Sequence, residues 1–175
     1  MACTLNTGRK LPCKSAFGGI KTVWFGDFGG ITGVTVDSIT KQVTTISGTQ
    51  PDWYQFDVKG NSSLETTVTS SRENGTTFYT QTLNLTLTYL DAKTQAELQE
   101  IAVARPYVVV EDYYGNQFLC GLENGMEFVS GTVVSGAAAG DLSGFTLVME
   151  GQEELAPYFL DSGLIIADAT QIEPN

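Results

Sequence analysis

Residues 78–90 read FYTQTLNLTLTYL, and this stretch decides the fold class. Leu83, Leu85, Leu87 and Tyr89 share one parity, while Thr82, Asn84, Thr86 and Thr88 share the other. Successive side chains of an extended chain point to opposite faces. The pattern therefore describes a strand with one apolar face on a core and one hydroxyl-rich face turned away. A usual strand has roughly 5–6 residues. One this long predicts a large sheet, or a sheet that runs beyond the domain.

The flanking segments have the same character. Ile20–Phe28, Val34–Ile39, Val43–Ile46, Trp53–Lys59 and Leu64–Ser71 are short runs rich in Val, Ile, Thr and aromatic residues, the composition of strands. One helix is expected over Ala92–Arg105. Asp91 is its N-cap, because a carboxylate there accepts a free backbone N–H of the first turn. Leu98, Ile101, Ala102 and Arg105 form a narrow stripe to pack on a sheet, and Arg105 complements the helix dipole. Pro106 stops the helix, since proline disfavours helical geometry in the residue before it. Tyr107–Glu111 and Phe118–Leu122 then flank Tyr114-Gly115-Asn116, a turn signal, and read as a hairpin. Ser135–Gly144, SGAAAGDLSG, is a loop, and FTLVMEG is a further strand. The expected fold is mainly β: an antiparallel sandwich or barrel with one flanking α-helix at about 92–105. The expected organisation is an extended arm over 1–19, a β-sandwich domain over 20–151, and a C-terminal segment over 152–175, either an arm or docked.

Charge is unevenly spread. The net charge is −11. Residues 1–105 hold nine acids and nine bases, whereas residues 106–175 hold eleven acids and neither Lys nor Arg. The first 26 residues carry Arg9, Lys10, Lys14 and Lys21 and no acid. A basic start and an acidic end suit head-to-tail contact between copies. They argue against an ordinary DNA or RNA binder, which needs cations to neutralise phosphates. With no apolar run near the roughly 20 residues of a membrane span and no apolar leader segment, the expectation is a protein made in a cytosol-like space and not bound to membrane.

Catalytic equipment is not expected. The chain has no histidine, which removes the commonest general base and the usual partner of a nucleophilic Ser or Cys. Cys3, Cys13 and Cys120 include no CxxC pair and read as ordinary thiols rather than a metal or redox site. Glu111-Asp112 and Glu153-Glu154 are paired carboxylates, but the first sits at a hairpin end, where Asp is a normal turn residue. No phosphate-cradling glycine motif and no calcium-loop spacing occurs. The expectation is no enzyme, no cofactor and no metal. The aromatic residues Trp24, Phe25, Trp53, Tyr54 and Phe56 read as core or interface.

The remaining candidates concern assembly. Gly8–Lys14 reads as an extended basic arm followed by a glycine hinge at Gly18-Gly19. Arg9, Lys10, Leu11, Pro12, Lys14 and Phe17 are the candidate subunit-interface residues. Surface ion pairs are worth roughly 0–1 kcal/mol each, so the arm must also bury Leu11, Pro12 and Phe17 to hold.

The layout resembles the tail tube (major tail) proteins of tailed bacteriophages. It does so in GRKLPCK with GGIK, in FLCGLENGME, and in SGTVVSGAAAGDLSGFTLVMEG, over most of residues 1–151. The resemblance implies a structural virion protein that forms stacked, hexameric rings around a channel for DNA. It implies partners in copies of itself and in other tail proteins, with DNA passing and not specifically bound. Glu111, Asp112, Glu123 and Glu127 are then candidates for a negative lumen or a stacking face. Two other classes stay open: a tail ring that does not polymerise (terminator, completion or distal tail protein), and a β-sandwich capsid decoration or receptor-binding module.

Overall fold

The computed structural model describes residues 8–9, 14, 17–58, 60–162 and 164. Among them, eleven strands and one helix build two sheets. The smaller sheet is laid out around the long alternating strand. This strand, β6 (Thr76–Thr88), pairs antiparallel with β5 (Ser63–Ser71) on one side and β10 (Gly144–Glu153) on the other, and β10 pairs with β9 (Glu127–Val134). Leu83, Leu85 and Leu87 are buried as the alternation requires. Tyr89 departs from it. Its backbone takes a left-handed φ of 71° and its ring is 81% exposed, because the strand ends at Thr88 and the Tyr89 N–H turns to donate to Ser143 O.

The larger sheet contains β1 (Ile20–Gly26), β2 (Ile31–Val36), β3 (Val43–Gly48), β4 (Trp53–Asp57), β7 (Tyr107–Asp112), β8 (Gln117–Cys120) and β11 (Tyr158–Leu160). Its strand order is β2-β3-β11-β8-β7-β1-β4. That order forces a strong curl. The links from β1 to β2 and from β3 to β4 each join strands five places apart, about 24 Å across a flat sheet. Each link can reach only about 18 Å between strand ends. The edges must therefore fold toward one another. The curl does not become a barrel: β2 and β4 remain unpaired with each other, so of the two expected architectures the sandwich is the one formed.

Two cores follow. Val23, Phe25, Val108, Val110 and Cys120 leave one face of the larger sheet to meet Leu83, Leu85, Phe145, Leu147 and Met149 of the smaller one. Trp24, Trp53, Tyr107, Val109 and Leu119 leave the other face and are covered by Val43, Ile46 and Leu160, brought over by the curl.

The helix α1 runs Ala92–Val103, with the Asp91 carboxylate accepting from the N–H groups of Lys93 and Thr94. Its packing stripe is narrower than expected. Leu98 and Ile101 reach the core between the sheets, while Ala102 is exposed and Arg105 lies beyond the C-cap Ala104, so it adds nothing to the last turn. The hairpin of β7 and β8 forms as expected, its loop containing Gly115 at φ 88°. Within the C-terminal segment, Tyr158–Leu160 docks as β11 between β3 and β8. Most of the arm over 1–19, together with 165–175, falls outside the described residues.

Candidate assembly surfaces

The outer face of the smaller sheet is fixed by register. With Leu83, Leu85 and Met149 turned inward, Thr80, Thr82, Asn84 and Thr86 of β6 and Thr146, Val148, Glu150 and Gln152 of β10 turn outward. The pairings place Glu65 opposite Thr82, Thr82 opposite Glu150, and Glu150 opposite Glu127. One transverse row across all four strands therefore reads Glu65, Thr82, Glu150, Glu127. The four strands bring three carboxylates and many hydroxyls to this face and no Lys or Arg of their own; Arg105, from beyond α1, reaches Glu127 at 3.9 Å. Like charges directly opposite on neighbouring strands destabilise a sheet by a few tenths to about 1 kcal/mol.

Both borders of this sheet, β5 and β9, carry no partner strand. Natural edges are usually blunted by Lys, Pro or a covering segment. Neither strand contains Lys, Arg or Pro, and Val68, Val129 and Val133 are exposed along them. Four antiparallel strands also leave the two edges running in opposite directions. A β9 edge can thus meet the β5 edge of an identically oriented copy as an antiparallel pair. The β5–β6 hairpin runs past the last β10 partner, Glu153 opposite Tyr79, and ends in an exposed tip at Arg72–Gly75.

The sequence-predicted residues fall in several places. Lys10, Leu11 and Pro12 lie outside the described residues. Arg9 and Lys14 are exposed. Phe17 is 69% exposed but rests edge-on against Tyr113 at 5.3 Å, and Gly19 O accepts from the Tyr113 N–H. Glu127 is exposed, 3.9 Å from the Arg105 guanidinium, and belongs to the transverse row. Glu123 is exposed on the turn after β8. Glu111 and Asp112 are occupied locally. Glu111 accepts from Lys21 Nζ at 3.2 Å and Gln117 Nε2 at 2.9 Å. Asp112 accepts from the N–H groups of Tyr114 and Asn116 and from Asn116 Nδ2, which builds the hairpin turn. Glu65 and Glu150 escaped the sequence reading. Their parity opposite Leu64 and Met149 was visible, but the register that aligns them was not.

One buried acid is structural. Glu153 accepts from the N–H groups of Glu123 and Asn124, with oxygens 2.9–3.3 Å away. Burial nonetheless holds its carboxyl above the usual range, against those N–H donors. Nearby Gln81 accepts from Gly121 N–H and donates to Leu155 O. Cys120 is fully buried and its thiol is pushed far up, so it is no nucleophile. Among the described residues no group of three His, Cys, Asp or Glu could hold a metal ion. No helix among them is long and apolar enough to cross a membrane.

The two open sides of the sandwich differ. Beside β9, α1 lays Leu98 and Ile101 over the gap between the sheets. Beside β5, a cleft of about 500 Å³ stays open among the described residues, walled by Leu64 and Thr66 of β5, Val110 and Phe118 of the larger sheet, Pro157, and Phe159 of β11. Comparison of the chain with protein-family models, with curated proteins and with solved structures returned no match.

Proposed function

We propose that this chain is a tail tube (major tail) subunit of a tailed bacteriophage: a structural virion protein, made in the host bacterial cytoplasm, whose rings stack around a channel for DNA. The observation that carries the reading is the smaller sheet. It joins a hydroxyl and carboxylate face, whose strands carry no Lys or Arg, to two edge strands of opposite direction that lack Lys, Arg and Pro. Repeated head to tail, such a sheet closes into a ring without leaving edges. The inner wall would then carry the Glu65, Glu150 and Glu127 row as a continuous acidic girdle. A wall that sets three carboxylates per copy against Arg105 stays net negative, so it holds phosphates weakly and lets DNA slide. Six copies would supply about 24 strands and a backbone diameter of roughly 37 Å at the usual strand spacing, wider than a duplex after side chains are subtracted.

Electron microscopy of the purified full chain tests this. Long tubes with a stain-filled lumen are the expected result. Single rings would assign the chain to a tail ring that does not polymerise. Monomers or trimers at high concentration would overturn the reading in favour of a decoration or receptor-binding module. Within tubes, replacing Glu65, Glu127 and Glu150 by Lys should slow DNA ejection from assembled particles, and unchanged ejection would remove the acids from the channel wall.

A further inference from the structure

Among the described residues the cleft beside β5 has no counterpart to α1. Its walls come from four separate parts of the chain: Gly19 and Ile20 at the start of β1, the start of β5, the β7–β8 hairpin, and Ala156–Phe159, which runs into β11. Phe118 and Phe159 stack at 4.7 Å on one wall, and Phe159 remains 45% exposed. Solvent-facing apolar surface of this kind, in a concavity of about 500 Å³, is the usual form of a site that takes an apolar insert. Asp112 is the one charged residue in its lining.

The N-terminal segment fits this description from the other side. Gly19 lines the cleft mouth, so the chain upstream of it starts at the site. Residues 1–18 include Leu11, Pro12, Ala16 and Phe17, carry Arg9, Lys10 and Lys14, and contain no acid. Extended, the eighteen residues reach roughly 60 Å, well beyond the borders of their own subunit. The described points of the segment do not enter the cleft beside them: Gly8, Arg9, Lys14 and Phe17 are exposed, and Phe17 is held outward on Tyr113.

We propose that the cleft between β5 and the β7–β8 hairpin is the seat of the N-terminal segment of a neighbouring copy, which supplies Leu11 and Pro12 to its apolar walls. The segment does in trans for this side what Leu98 and Ile101 do in cis for the other. Its cations then lie against a lining whose only charge is negative. The proposal rests on the reading of the chain as a self-assembling subunit, and it names the joint that links the copies.

Native Cys13 provides the probe. In full-length chain carrying Cys3→Ser and Thr66→Cys, mild oxidation of assemblies should yield dimers and a higher ladder on a non-reducing gel. Adding Cys13→Ser should abolish the ladder; Cys120, being buried, takes no part. A cross-link confined to monomers would overturn the seat in trans, and tubes without any cross-link would overturn the seat altogether. If microscopy shows only monomers, the assembly reading fails and the cleft is tested alone. A fluorescein-labelled peptide of residues 1–17 is titrated with the full chain. A rise in anisotropy, with Kd weakened at least about tenfold by Ala156→Trp, which fills the cleft from an exposed position, supports the seat. No rise overturns it.

Discussion

The two sides of the sandwich pose one physical problem and solve it differently. Stacking two sheets buries their facing sides but leaves apolar gaps along the flanks. Beside β9 the chain closes the gap itself. Asp91 starts a helix whose Leu98 and Ile101 complete the core. Beside β5 no element among the described residues follows, and Phe159 stays half in water. The lesson is that an incomplete core is informative when its twin is complete. The fold has a way to close such a gap, and among the described residues one side does not use it.

The comparison can be broken most sharply by charging the closed side. Leu98→Asp with Ile101→Asp should lower unfolding stability by on the order of 3–5 kcal/mol in urea titrations, since two carboxylates would face the core. The matching change on the open side, Phe159→Ser, should remove only about 1 kcal/mol while abolishing tube formation. Equal losses would show that both flanks are ordinary core. Next in size, Asp91→Ala should remove about 1 kcal/mol by uncapping the helix, with assembly intact.

Glu153, which anchors the turn after β8 from the base of the linker that walls the cleft, sharpens the comparison through pH. Its folded carboxyl is held above its ordinary value of 4.5 by burial. The contribution of its protonated form is thus fully present below 4.5 and is lost as pH rises through the raised folded value. Wild type should therefore gain stability over Glu153→Gln as pH falls from 7 toward 4.5. A difference that stays flat would mean the site is hydrated. The smallest effect should be Phe17→Ala, a loss of about 0.5 kcal/mol or less from an exposed edge-on stack, read as a shift in the melting temperature, but with a clear reduction in assembly.

Local features were legible in the sequence. The alternation in 78–90, the Asp91 cap, the Pro106 stop and the Gly115 turn each depend on neighbours a few residues away. What was not legible depends on distant pairing. The curl of the larger sheet follows from its strand order, which no single segment contains. Tyr89 obeyed the parity rule on paper, yet the strand ends one residue earlier. The strand Tyr158–Leu160 is too short to show a period, and its place is set by partners more than 35 residues away. The acidic row needs the register of four strands before Glu65 and Glu150 meet Glu127. Asp112 was legible as a turn residue, but the Lys21 and Gln117 donors that occupy Glu111 come from outside its own strand and were not.

The position of β11 has a consequence for synthesis. The larger sheet holds strands from residue 20 onward, but β3 joins β8 only through Leu160 and its neighbours. A ribosome must deliver residue 160 before that sheet can become continuous, so until then β2 and β3 have no backbone pairing to the sheet's other strands. A message truncated just before Tyr158 would leave β2 and β3 held to the rest only by side-chain packing on the second core. It would also remove Phe159 from the cleft, so a single late lesion would disable folding and joining together.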